Sequence, residues 1–137
     1  RDDVTLVIGG SGHLTDQLKR FAGLLGVDDR IEWVGYVPET ELGDYYASAD
    51  LFVSPSFAEP FGITITEALS AGTRVVATES GVNEVLPEES VVEVEPDSKS
   101  IAAGIERALE LDGVPTFDPI TWDDVVDETV VFYEGIL

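Results

Sequence analysis

The sequence predicts an α/β fold built on a doubly wound parallel sheet. Three observations carry this: short, unbroken apolar runs alternate with amphipathic stretches, each run is closed by glycine or proline, and the amphipathic stretches repeat at three- and four-residue intervals. Val4 to Ile8 is the first expected strand and empties into Gly9-Gly-Ser-Gly12. Leu14, Leu18, Phe21 and Leu25 then mark one face of a helix that Gly26 closes. Ile31 to Val34 is the next strand, ended by Gly35-Tyr-Val-Pro38, and Leu42, Tyr45, Tyr46 and Ala49 give a face to the second helix. Leu51 begins a strand that stops at Pro55, and Thr64 to Ala71 is a helix ending at Gly72. Arg74 to Ala77 continues the sheet, Val82 to Leu86 is a helical turn, and Val91 to Val94 is the last short strand. Ser100 to Leu111 carries Ile101, Ile105, Ala108 and Leu109 on one face, and Trp122 to Leu137 is the terminal helix. Asp112 to Pro119 is the one extended loop expected.

Composition narrows the function. A chain of 137 residues is expected to form one domain and to bury ~two thirds of its unfolded surface. Seven Lys+Arg against 28 Asp+Glu leave a net charge of −21, and the acids are spread along the chain without a block. With 44% hydrophobic residues the chain has enough apolar material to fold, so the charge belongs to a surface coated in carboxylates. Halophilic proteins carry such an excess, and a salt-loving, cytoplasmic source is expected. Nucleic acid and anionic membranes are not expected as partners, because the sequence offers no basic patch to neutralise phosphates. The absence of cysteine rules out thiol chemistry, and a lone His13 argues against a histidine-based metal site, so no metal is expected. No apolar run is long enough to span a membrane. With no methionine and a first residue Arg1, the chain is expected to be an excerpt of a longer protein.

The candidate chemistry lies in Ser-Phe-Ala-Glu59-Pro-Phe-Gly-Ile-Thr-Ile-Thr-Glu67-Ala-Leu, where two glutamates stand eight positions apart. They flank a strand-to-helix turn, and in open α/β sheets ligands bind outside the carboxyl ends of the strands. The free amides of Gly62, Ile63 and Thr64, with the helix dipole, would favour a diphosphate. Glu59 in the loop can reach sugar hydroxyls, and Glu67 can accept hydrogen bonds from a ribose diol. Each has a plainer reading. Thr64-x-x-Glu67 also spells a capping box, and Glu59 alone could be one more solvated acid. Gly9-Gly-Ser-Gly12 lacks the spacing of a dinucleotide fingerprint and reads as a tight turn. Lys19 and Arg20 fall on the polar face of the first helix, where solvation is expected.

Ser54-Pro-Ser56, the pair Glu59 and Glu67 around Pro-Phe-Gly-Ile, and Glu67-Ala-Leu-Ser-Ala-Gly-Thr-Arg-Val-Val-Ala77 resemble retaining GT-B glycosyltransferases of the glycogen-synthase and sucrose-synthase type, the glycosyl transferases group 1. The part resembled is their Rossmann-like, C-terminal donor-binding half. Val-Ile-Gly-Gly-Ser-Gly, Val-Gly-Tyr-Val-Pro before Glu39, Tyr45-Tyr46-x-x-Ala49-Asp50, and Phe117 to Trp122 leading into Tyr133 extend the resemblance over the whole chain.

The resemblance implies a nucleotide-diphosphate sugar donor, transferred with retention of anomeric configuration and without a metal or other cofactor. It implies that Glu59 contacts the transferred sugar and steadies an oxocarbenium-like transition state. Glu67 would take the ribose, the amides of Phe61, Gly62 and Ile63 would face the sugar and diphosphate, and Gly35, Tyr36 and Val37 would border the base. The basic pair that clamps the diphosphate in that family belongs to a strand-helix unit before Arg1. A sugar, lipid or polysaccharide acceptor would bind through a further N-terminal domain, so the chain alone is expected to catalyse nothing. Arg74 stands where the family has proline and reads as structural, and Ser80-Gly81 replaces a glycine pair. A sugar-nucleotide epimerase of GT-B fold is the nearest alternative. A receiver-like signalling module is the non-enzymatic one, although its acidic pair is absent after the first strand.

Overall fold

Each apolar run becomes a strand, and every ladder is parallel. The structure is a computed structural model describing residues 3–84, 86, 90–115 and 117–136. The chain divides into two compact units, Arg1–Leu42 and Gly43–Leu137.

In the first unit β1 (Leu6–Gly9) pairs with β2 (Ile31–Gly35), Leu6 opposite Ile31 and Ile8 opposite Trp33. Gly35 ends β2 at φ 69°, and its carbonyl accepts from the amide of Gly10, itself at φ 92°. The two glycine turns are thus tied together at the carboxyl ends of both strands, in backbone conformations that only glycine adopts without strain. Helix α1 (Thr15–Leu25) lies between these strands in sequence, and Gly26 at φ 66° closes it by donating to the carbonyls of Ala22 and Gly23. Its apolar face departs from expectation. Only Ala22 is buried, while Leu14, Leu18, Phe21 and Leu25 stay 48% to 60% exposed, because a sheet of two strands presents little apolar surface to a helix. Lys19 departs too: its ammonium lies 5.6 Å from the centre of the Trp33 ring, a cation–π approach in place of plain solvation.

Helix α2 (Glu39–Ser48) leads into the second unit, whose sheet has the order β3 (Leu51–Ser54), β4 (Arg74–Ala77), β5 (Val91–Glu93). Central β4 has Val75, Val76 and Ala77 at 1% exposure or less, buried on both faces as the unbroken Val-Val-Ala run requires. Val76 packs with Val92 and with Ala108 of α4 (Ser98–Glu110). At Gly104 the bare backbone of α4 meets Val94 and Val76, so any side chain there would push the helix off the sheet. Helix α3 (Ile63–Ser70) buries Ile65, Ala68 and Leu69, and Gly72 at φ 82° turns the chain back into β4.

Local capping sets the helix ends. The Asp97 carboxylate accepts from the amides of Lys99 and Ser100, which starts α4 two residues earlier than its apolar periodicity suggested. Its other end is held by Arg74, whose guanidinium donates to the carbonyls of Asp112 at 3.2 Å and Gly113 at 2.8 Å. Arg74 is structural, as its place in the sequence implied. Helix α5 (Trp122–Glu134) begins with a complete capping box between Thr121 and Asp124 and has no buried residue. Val82 to Leu86 is represented by one helical turn at Gly81–Glu84, and residue 85 lies outside the described residues.

Candidate functional site

The loop between β3 and α3 is stitched along the carboxyl end of β4. Ser54 ends β3, and its carbonyl accepts from the Thr78 amide at 3.1 Å. The Thr78 hydroxyl donates to the Ser56 carbonyl at 2.5 Å, Glu59 makes a parallel bridge with Ser80, and Val82 donates to Phe61 at 2.8 Å. Gly81 passes so close to the Pro60 carbonyl that a Cβ could not fit, which gives the Ser80-Gly81 pair a steric role in holding this loop. From Ser54 to Phe61 the chain therefore runs beside residues 78–82 as an ordered wall.

Glu59 is anchored within that wall. Its carboxylate accepts from the amide of Gly62 at 3.1 Å, the residue capping α3. Gly62 is at φ 99°, a conformation no other described residue type could hold here cheaply, since a Cβ would lie 2.9 Å from Ile65 Cδ1 and 3.0 Å from Val82 Cγ1. Of the three amides expected to receive an anion, Gly62 already has a carboxylate on it. The Ile63 and Thr64 amides belong to the first turn, where the helix itself supplies no acceptor.

Glu67 is one turn further along α3, and the capping box expected of it with Thr64 does not form. The helix begins at Ile63, so Thr64 is inside it, and the capping residue is glycine with no side chain to offer. The Glu67 carboxylate instead accepts from the hydroxyl of Tyr46 at 3.0 Å. Tyr46 is 9% exposed, its ring meets Phe52 of β3 edge-on with centroids 5.2 Å apart, and its carbonyl accepts from the buried Thr73 hydroxyl. Burial, the hydrogen bond to Glu67 and the Glu67 charge, in that order, push the Tyr46 hydroxyl up to about 12. Sequence reading placed Tyr46 on a packing face of α2; nothing in its spacing announced a bond 21 positions away.

A cleft of about 650 Å³ opens at the carboxyl ends of the strands, walled by Phe57, Glu59, Pro60, Glu79, Glu93 and Glu95 among others. Asn83 fixes one side by donating to Glu93 at 2.9 Å while accepting from Ser80 at 2.8 Å. Glu59 lines the cleft and Glu67 does not. Phe61 and Ile63 are 54% and 64% exposed beside the turn. Gly35, Tyr36 and Val37 belong to the first unit, where Tyr36 is 81% exposed and Val37 lies 3.5 Å from where a Cβ on Gly9 would be. Among the described residues no group of three or more His, Asp or Glu side chains could hold a metal ion. No described helix is long and apolar enough to cross a membrane.

Residues 1–116 match the family model of the glycosyl transferases group 1. The chain belongs to that family. An uncharacterized glycosyltransferase of Methanocaldococcus jannaschii is 36% identical over 149 residues, covering 98% of this chain and 38% of the relative. Sucrose-phosphate synthase from Thermosynechococcus elongatus superposes with a TM-score of 0.67 at 33% identity, covering 77% of this chain and 28% of that one. Anabaena HepE, solved in complex with UDP-glucose, superposes with a TM-score of 0.68 at 28% identity over 80% of this chain and 32% of its own. The α/β architecture is that of GT-B glycosyltransferases. This group 1 chain spans about a third of the length of the curated relatives it matches.

Proposed function

We propose that this glycosyltransferase chain is the donor-binding part of a retaining hexosyltransferase, taking a nucleotide-diphosphate sugar. The observation that carries the reading is the placement of two carboxylates at the carboxyl end of β3. Glu59 sits in the cleft wall, and Glu67 lies on the first turns of α3, oriented by Tyr46. Glu67 accepts from the ribose hydroxyls, and Glu59 accepts from hydroxyls of the transferred sugar. The amides of Ile63 and Thr64 and the α3 dipole face the diphosphate. The similarity to HepE solved with UDP-glucose supports such a donor.

In transfer with retention the bond from the anomeric carbon to the diphosphate breaks, and the acceptor oxygen bonds to the same face. Positive charge builds on the ring as the leaving group departs, and a carboxylate close by stabilises it. Leaving-group charge needs further cations. The basic residues of this unit are Arg74, Lys99 and Arg107, of which Arg74 and Arg107 donate to backbone carbonyls. In this reading, as the resemblance to the family implies, the phosphate clamp and the acceptor site come from another strand-helix unit and a further domain. Among the described residues β1, β2, β3 and β5 have one ladder partner each, so each sheet leaves edges on which such a strand could pair. Gly35, Tyr36 and Val37 border the base in this reading, no metal takes part, and the acidic surface suits a salt-rich cytoplasm.

Titration with UDP, GDP and ADP in high salt, followed by amide chemical shifts, tests the site: shifts centred on Ile63, Thr64 and Glu67 are expected. Shifts confined elsewhere would refute it. Proton NMR of a turnover mixture of the full-length protein separates transfer from epimerisation, since an epimerase releases free epimerised sugar while a retaining transferase yields a glycoside of unchanged anomeric configuration.

A further inference from the structure

We infer that Tyr46 is a positioning residue for nucleotide recognition, holding the Glu67 carboxylate in the orientation that receives the ribose diol. The inference rests on the ribose reading of Glu67. A glutamate on a helix surface ordinarily samples several rotamers, and fixing one on binding costs affinity. Glu67 is solvent-exposed, yet one of its two carboxylate oxygens is engaged at 3.0 Å by a hydroxyl that cannot itself wander. Tyr46 is 9% exposed, its ring is set against Phe52, and its own backbone carbonyl takes the hydroxyl of Thr73, which is 3% exposed and precedes β4. Three elements, α2, β3 and the α3–β4 turn, thus converge on the one donor that orients Glu67.

The arrangement is economical in hydrogen bonds. A phenol donates once, so it occupies a single lone pair of the carboxylate and leaves the second oxygen for a vicinal diol. Burial first, and then this contact, keep Tyr46 protonated, because ionising it would strand a charge in the interior and place it against the Glu67 carboxylate. A purely structural tyrosine would require its hydroxyl partner to be anything that satisfies the bond. Here the partner is a residue with a separate task, on the solvent side of α3.

A double-mutant cycle with UDP and 2′,3′-dideoxy-UDP as probes tests this. Tyr46→Phe keeps the ring and its edge-on packing and removes only the donor. It is expected to weaken UDP binding by roughly three- to tenfold, the net worth of one hydrogen bond. Binding of 2′,3′-dideoxy-UDP, which has no diol, should be unchanged by the same substitution. In a Glu67→Ala background Tyr46→Phe should have no further effect. Val92→Ala, in the core cluster with Val76 and Ala108, serves as the packing control: it should lower the melting temperature while leaving the ratio of UDP to dideoxy-UDP affinity as in wild type. If Glu67→Ala weakens UDP and Tyr46→Phe does not, the positioning role is wrong and the ribose reading stands. If Glu67→Ala matches wild type, including the case where neither binds, the ribose reading fails and takes this inference with it. Equal losses for both nucleotides would also overturn it, by showing a structural effect.

Discussion

The Glu59 carboxylate accepts from the Gly62 amide at 3.1 Å, so the loop glutamate, not Glu67, satisfies the start of helix α3. The two acids have exchanged the plain roles that their sequence positions suggest. Glu59 combines a helix cap with its place in the cleft wall, and these two contributions are separable. Glu59→Gln retains a carbonyl oxygen for the Gly62 amide and loses the charge; Glu59→Ala loses both. Chemical denaturation should show Glu59→Ala destabilised by about 1 kcal/mol and Glu59→Gln by much less. Transfer by the full-length enzyme should fall in both, by a factor of about a hundred or more, if the charge steadies the transition state. Retained activity in Glu59→Gln would assign this residue to structure alone.

Tyr46 makes the stability of the second unit sensitive to alkali. Its hydroxyl titrates at about 12 in the folded chain against 10.0 in the unfolded one. Between those values the folded state holds a proton that the unfolded state has released. Stability contributed by neutral Tyr46 is therefore complete below pH 10 and declines as pH rises towards 12. Urea titrations across this range should show a steeper loss for wild type than for Tyr46→Phe. Glu67→Gln should lower the Tyr46 value only in part, because burial is the largest cause of the shift. An ultraviolet titration in which Tyr46 ionises with the exposed tyrosines would contradict this.

Gly62 allows little substitution. At φ 99°, with Ile65 Cδ1, Val82 Cγ1 and Ser80 Oγ all within 3.2 Å of a Cβ placed there, Gly62→Ala meets both backbone strain and crowding. A loss of about 2 kcal/mol is expected in thermal or chemical unfolding, the sum of a left-handed alanine and an overpacked contact. Gly12→Ala, with nothing within 4 Å, should change stability by no more than about 0.5 kcal/mol.

How far the sequence reached depended on whether a signal was local. Gly26, Gly35 and Gly72 marked real element ends because a positive φ is a demand that only the residue itself must meet. Runs such as Arg74-Val-Val-Ala77 became a strand at the expected residues because both faces of that strand are covered. The pattern Thr-x-x-acid was ambiguous: it forms a box at Thr121 and Asp124, where the helix starts after Thr121, and fails at Thr64, where the helix has already begun. The apolar stripe of α1 gave the right helix and the wrong burial, since periodicity reports which face is apolar and not what covers it. Tyr46 was out of reach. Its bond to Glu67 depends on how α2 and α3 are packed, and no short-range pattern encodes that.

A net charge of −21 on a folded chain predicts a strong response to salt. Screening shortens the reach of repulsion from ~10 Å at 0.1 M salt to ~3 Å at 1 M. The melting temperature should rise as KCl is raised towards molar concentrations. A fall would remove the case for a salt-loving source.

Glu67 as ribose ligand is the centre of this account, and its most direct test is the affinity of the protein for UDP, GDP and ADP, measured by calorimetry in high salt for wild type and Glu67→Ala. At least one nucleotide should bind wild type about tenfold or more tightly than the variant, the worth of a hydrogen bond to a charged group. Equal affinities for all three would contradict the assignment.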